Sequence, residues 1–276
     1  MRSLFPLWRS LVNSKIIPRV VTALVGIPAL VWIVGWGGPH VFSWVILFVT
    51  FVCLWEYYRI AFPGLRREQA VGIAAGLLVG FGVLTARPAA WVAGVAVFLF
   101  CGHLFFGGKL EERFNRLCWT LLGSLYIGYL IPHAALLYRH SDGSRWIFFV
   151  LLVVMAGDTA AYFVGTLLGR KKLYFEISPG KTVEGAIGST VASLLAGVIG
   201  GSFFLPAHPW PELLALALVL SVLGQVGDLF ESWIKRVFGV KDSGAIVPGH
   251  GGLLDRMDSL IFPLVFVAYY VRMFRP

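Results

Sequence analysis

The chain has 276 residues, of which 58% are hydrophobic and only 13% charged, with a net charge of +9 at neutral pH. Soluble domains carry about 25% charged residues, so this composition and a mean hydropathy of +0.81 exclude a soluble globular protein. Cys53, Cys101 and Cys118 stand isolated in or beside apolar stretches with no CxxC spacing, which speaks against a disulfide framework or a zinc site. The basic residues are dispersed along the chain rather than gathered in one patch, so no nucleic-acid partner is expected.

The chain begins MRSLFPLWRSLVNSKIIPR, with a Trp, three Leu and four basic residues. This pattern suits an interfacial amphipathic segment and lacks the small-residue cleavage site of a signal peptide. A spanning helix needs roughly 20 mostly apolar residues. Apolar runs then predict spans near 18–36, 41–61, 70–86, 89–106, 117–138, 146–168, 185–205, 211–234 and 257–273. The expected fold class is all-α: a polytopic integral membrane protein with about nine transmembrane helices.

With the N-terminus inside, 18 of the 23 Lys/Arg fall on that side, leaving Arg87, Arg139, Arg145, Arg272 and Arg275 outside. That asymmetry is the positive-inside signature and predicts a cytoplasmic N-terminus and an external C-terminus. Basic loops beside a bilayer also suit anionic lipid headgroups. Acids are unevenly placed as well. Residues 1–145 have few within the spans, Glu56 in CLWEYYR closing the second, whereas nine of the 14 Asp/Glu lie between Asp158 and Asp258. Residues 1–145 read as an N-terminal transmembrane scaffold and 146–276 as a C-terminal catalytic region of one integral domain.

Two constellations carry the chemistry. The first is MAGDTAAYFVGTLLGRKKLYFEISPGKTVEGAIGS at 155–189. Asp158 lies within an apolar span, with Tyr162 on the same helical face. Such a carboxylate is either satisfied by a hydroxyl or neighbouring helix, or it is functional. Gly180-Lys181-Thr182 echoes the end of a P-loop, but Phe175 stands where the motif needs glycine and no strand is expected before it. What remains is a Ser178-Pro-Gly-Lys181-Thr182 turn offering N–H groups, hydroxyls and an ammonium to a phosphate. Glu184 follows in the first turn of the next helix, where the macrodipole favours an acid.

The second is the island GQVGDLFESWIKRVFGVKDSGAIVPGHGGLLDRMD at 224–258, flanked by apolar runs. Asp228, Glu231, Ser232 and Lys235 share one helix face. They read as the wall of a water-filled cavity or, more blandly, as a solvated helix end with a Glu231–Lys235 pair. Glycines around His250 permit a tight turn, and Asp255 and Asp258 follow. Asp228 and Asp255, from opposite sides of that turn, can converge on one cation of the Mg²⁺ type. Cations beside such a carboxylate pair describe phosphoryl or nucleotidyl transfer.

The run Ser232-x2-Lys235-Arg236-x4-Lys241-Asp242-x-Gly244-x3-Pro248-x-His250-Gly251-Gly252-Leu253-x-Asp255-Arg256-x-Asp258 resembles the signature of the CDP-diacylglycerol synthase (phosphatidate cytidylyltransferase) family. The likeness extends to GDTAAYFVG at 157–165 and SPGKTVEG at 178–185; Val247 replaces an expected Leu, Ile or Phe. The resemblance implies that CTP and phosphatidic acid give CDP-diacylglycerol and pyrophosphate. It implies Mg²⁺ at Asp228 and Asp255, with K⁺ as a companion, and a homodimer in the bilayer. In that reading Lys235, Lys241 and Arg256 steady phosphates, Ser232 orients a phosphate or water, and His250 is a turn residue before a proton carrier. Ser178, Lys181, Thr182, Arg236, Asp242, Asp158 and Asp258 complete the substrate site. A cation-coupled transporter would spread its acids over two similar halves, and a CDP-alcohol phosphotransferase would show an Asp-Gly-x2-Ala-Arg pattern absent from this chain. A lipid kinase using CTP would differ in its product.

Overall fold

The computed structural model describes residues 16–105, 107–246 and 251–275. The first helices are α1 (Ile16–Trp36), α2 (Gly38–Ala61), α3 (Arg66–Leu84) and α4 (Pro88–Phe105). They are followed by α5 (Leu110–Gly123), a π-helical turn (Ser124–Tyr129), α6 (His133–Tyr138) and α7 (Gly143–Leu168). A hairpin of β1 (Lys172–Tyr174) and β2 (Ser178–Thr182) then leads to α8 (Val183–Phe204), α9 (Trp210–Val237) and α10 (Leu254–Phe274). Among the described residues eight segments are long and apolar enough to cross a bilayer, α5 through α6 counting as one. With α1, a further helix of 21 residues, each of the nine apolar runs meets a helix. The chain is an all-α, multi-pass membrane protein. The amphipathic segment read at its start lies, through Lys15, outside the described residues.

Two features depart from uniform helix. Residues 172–182, read from the sequence as a loop, form an antiparallel hairpin with Lys172 opposite Thr182 and Tyr174 opposite Ser178. A short strand therefore does precede Gly180-Lys181-Thr182. Those residues sit inside β2 rather than in a glycine-rich cradle, so the P-loop stays excluded. The fifth span is broken, because Pro132 has no N–H to donate to the preceding turn. On the same span Tyr58 Oη donates to Thr120 O at 2.7 Å and Tyr57 Oη to Trp119 O at 3.1 Å.

Helices in lipid gain little from apolar burial against one another and associate by close packing of small residues. α8 presents Gly185, Ser189, Ser193, Gly197 and Gly201, all buried at four-residue spacing. On α7, Gly157 lies so close that a Cβ there would meet the Ser193 and Ser189 hydroxyls. Ser193 Oγ also donates to Val153 O at 3.0 Å. This seam sets the rotation of α7 and turns Asp158, beside Gly157, toward the interior cavity. The apolar core lies where α2, α7, α9 and α10 meet, around Leu54, Tyr57, Phe149, Val150, Leu220 and Ile261. At the far end of α9, Glu212 accepts from Tyr270 Oη and from Arg275 Nη2 at 2.6 Å, and pairs with His208 Nδ1 at 2.9 Å.

Candidate active site

α9 runs unbroken through Val237, so the expected face of Asp228, Glu231, Ser232 and Lys235 is real. Glu231 is 1% exposed, and its ion-pair partner is Lys235, one helical turn on. The same ammonium reaches Asp255 Oδ1 at 2.7 Å. One cation thus serves two carboxylates. Buried charges persist only when paired in this way.

The α9–α10 connection brings Asp255 to that ammonium. Gly251 adopts φ +87°, a left-handed conformation that glycine takes at no steric cost. Asp255, in the first turn of α10, accepts Gly252 N at 2.8 Å and Ser243 N at 3.0 Å. Behind the turn stands a residue absent from the sequence-derived site, Glu56 of α2, fully buried at 0% exposure. Its carboxylate accepts Leu253 N at 3.1 Å, Leu254 N at 2.8 Å and Ser243 Oγ at 3.4 Å. The signal was present, since Glu56 is an acid at the end of an apolar span, and such acids are costly unless used.

The opposite wall comes from the hairpin and α7. Lys181 Nζ on β2 pairs with Asp228 Oδ2 at 2.8 Å, and Ser232 Oγ donates to Asp228 Oδ1 at 3.4 Å. Thr182 Oγ1 accepts Gly185 N at 3.1 Å, a side-chain cap on α8. Glu184 accepts the backbone N–H groups of Arg170 and Lys171 at 3.0 and 3.2 Å. It therefore fastens the base of the hairpin as well as suiting the helix dipole. Asp158 Oδ2 accepts Ser259 Oγ at 2.9 Å, and Asp258 Oδ1 accepts Ser259 N at 2.7 Å.

Between the two walls lies a cavity of about 1110 Å³. Its polar end carries Asp158, Ser178, Lys181, Thr182, Asp228, Lys235, Asp242, Asp255, Arg256 and Asp258. From there it continues into an apolar wing between α1, α2, α7 and α10, bounded by Leu30, Val34, Phe42, Ile46, Val154, Met155 and Leu264. Three expected site residues are not in the lining. Ser232 donates instead to Asp228, which is in the lining. Arg236 donates to Ile177 O at 3.1 Å and Val240 O at 3.2 Å, fastening the hairpin loop to α9. Lys241 is exposed. His250 lies outside the described residues.

A profile of the Cytidylyltransferase family matches residues 17–274. The chain belongs to that family. It is 44% identical over 171 residues to the phosphatidate cytidylyltransferase of Bacillus subtilis, a stretch covering 60% of this chain and 62% of that protein. It is 45% identical over 157 residues to the phosphatidate cytidylyltransferase of Staphylococcus epidermidis, covering 56% and 59%. To that of Brucella suis it is 44% identical over 144 residues, covering 52% and 53%. The match thus spans somewhat over half the length of each relative.

The residues present fit a divalent cation. Asp158, Asp228, Asp242, Asp255 and Asp258 line the polar end with Glu231 behind them, so six carboxyl groups stand against three cations, Lys181, Lys235 and Arg256. Among the described residues no three His, Cys, Asp or Glu side chains are grouped to hold an ion. Mg²⁺ does not require that, because it binds through one or two carboxylates plus waters and substrate phosphates.

Proposed function

We propose that the chain transfers CMP from CTP to phosphatidic acid, giving CDP-diacylglycerol and pyrophosphate for phospholipid synthesis. The observation that carries this reading is the cavity, whose charged floor opens directly into an apolar wing between the apolar helices α1, α2, α7 and α10. A soluble nucleotide needs only the first part, whereas a phosphate carrying acyl chains needs both. A family whose relatives bear the name phosphatidate cytidylyltransferase supports the same choice.

In this mechanism an oxygen of the lipid phosphate attacks the α-phosphorus of CTP, a P–O bond forms, and the bond to the β-phosphate breaks to release pyrophosphate. No strong general base is required, because a phosphomonoester with a second pKa of about 6 already presents an anionic oxygen. Catalysis is then positioning and charge neutralisation. Lys181 and Arg256 neutralise phosphate oxygens from the hairpin and from α10. Lys235 stands between Glu231 and Asp255, so its ammonium is fixed before substrate arrives. Ser178 and Thr182 offer hydroxyls to the triphosphate, and Asp242 and Asp258 bound the polar end. Asp228 and Asp255 would hold Mg²⁺, with K⁺ as its companion, and the metal would supply neutralisation of the leaving pyrophosphate. Asp255 keeps acceptor capacity for this, since a carboxylate has about four lone-pair sites and its donors are Lys235, Ser243 N and Gly252 N.

The proposal places the protein in a bacterial inner membrane as a homodimer, N-terminus and polar end cytoplasmic and C-terminus outside, in line with the 18-to-5 division of basic residues. Residues 1–145 act mainly as scaffold and 146–276 carry the reacting groups. The test is purified protein in detergent with α-labelled CTP and phosphatidic acid, with and without Mg²⁺. Labelled nucleotidyl lipid plus pyrophosphate is the expected result, abolished in Asp228→Asn and Asp255→Asn variants that still insert. Phosphorylated lipid plus CDP, or near-normal activity in either variant, overturns the assignment.

A further inference from the structure

A buried carboxylate from the first half of the chain holds the turn on which the second half's site is built. Glu56, on α2, is 0% exposed, yet no cationic side chain is paired with it among the described ion pairs. Its acceptor capacity goes to the α9–α10 connection instead. At one side of that connection it takes Ser243 Oγ at 3.4 Å, and at the other Leu253 N at 3.1 Å and Leu254 N at 2.8 Å.

The same connection feeds Asp255. Ser243 N and Gly252 N, adjacent to the groups Glu56 holds, donate to Asp255 at 3.0 and 2.8 Å, and Asp255 in turn receives Lys235 at 2.7 Å. Two carboxylates therefore grip one stretch of backbone from opposite sides. The fit is tight. A Cβ at Gly244 or Gly252 would run into the Glu56 carboxylate. Leu253 and Leu254 also begin α10, whose first N–H groups have no partner within the helix, and an anion there is favoured by the helix dipole.

We propose that Glu56 is a positioning residue for nucleotidyl transfer, clamping Ser243 to Leu253 and Leu254 so that Asp255 and Lys235 are preset for the cation and the phosphates. It does not touch substrate; it acts through the turn. This rests on the function proposed above. It also gives the N-terminal half a part in the chemistry that a scaffold alone would not have.

The experiment compares wild type with Glu56→Gln, which keeps the side chain's shape but halves its acceptors and adds a donor facing other donors. In the nucleotidyl-transfer assay kcat falls at least tenfold and the Mg²⁺ concentration for half-maximal rate rises at least fivefold. The lipid KM stays within twofold, because the apolar wing is untouched. Loss of folded protein alone lowers the amount of active enzyme and leaves the Mg²⁺ half-point where it was. Hydrogen exchange gives a reading independent of turnover: amides at Ser243, Leu253 and Leu254 lose protection while those in mid-α9 keep theirs. Gly252→Ala, which intrudes on the same clamp from the other side, reproduces both effects. An unshifted Mg²⁺ half-point, or unchanged exchange at those amides, overturns the inference, as does a Gln variant that fails to fold alongside a folded Gly252→Ala enzyme of normal kcat. Absence of nucleotidyl lipid in the wild type would instead overturn the proposed function, and the exchange measurement would still report on the clamp.

Discussion

Lys235 is the cation on which two buried carboxylates depend, and its removal should cost stability as well as activity. Its side chain is 12% exposed, that of Glu231 1% and that of Asp255 7%. Replacing Lys235 with Met retains most of the methylene packing and deletes the charge. Breaking a buried ion pair by removing one partner costs about 3–5 kcal/mol, because the other charge is left uncompensated. The low end applies to this site. Asp255 keeps the Ser243 and Gly252 donors, and the pair borders an open cavity. A loss of about 3 kcal/mol corresponds to roughly two powers of ten in the folded-to-unfolded ratio. The measurement is denaturant titration in mixed micelles for Lys235→Met, Glu231→Gln and the double variant. Neutralising Glu231 removes the stranded charge, so the double variant should recover about 1 kcal/mol or more of stability relative to Lys235→Met. It should recover no nucleotidyl transfer. A single variant within about 0.5 kcal/mol of wild type, the usual range of surface substitutions, would refute the reasoning. So would a double variant no more stable than Lys235→Met.

Met155, one turn before Asp158 and lining the apolar wing, should tolerate Trp structurally; steady-state kinetics of Met155→Trp should show a lipid KM raised at least fivefold and an unchanged KM for CTP. At the opposite end of α9, Glu212→Gln weakens contacts to Tyr270, Arg275 and His208. Because that cluster is partly solvated, denaturation should report a loss of about 1 kcal/mol, with kcat within twofold of wild type. Gly157→Val pushes a branched side chain into Ser189 and Ser193. Overpacking of this kind costs about 1–3 kcal/mol, and a thermal melt unchanged from wild type would show that the α7–α8 seam is looser than drawn.

Much of the fold is legible in the chain because a bilayer imposes simple demands. Each run of about 20 apolar residues must become a helix, since no other open structure satisfies its backbone in hydrocarbon. The acids stood out for the same reason. Asp158, Asp228, Asp255 and Asp258 are expensive where they lie, and the structure brings all four to one cavity. The α9 stripe could be read because spacing encodes a helix face directly.

Cost and spacing are local quantities, and the remaining facts are not local. Nothing in the period of the sequence pairs Lys181 with Asp228, or Lys235 with Asp255, across separate elements. The family resemblance marked Arg236 and Lys241 as site residues, but a sequence signature does not say where a long side chain ends. Arg236 ends on the backbone of Ile177 and Val240. Glu56 was visible as an isolated acid, yet its partners at Leu253 and Leu254 lie almost 200 residues downstream. The membrane helices, their number and the gathering of acids in the second half were set by composition and pattern. Which carboxylate braces which turn, and which ammonium sits between two acids, was decided only when packing of small residues fixed how the helices face one another.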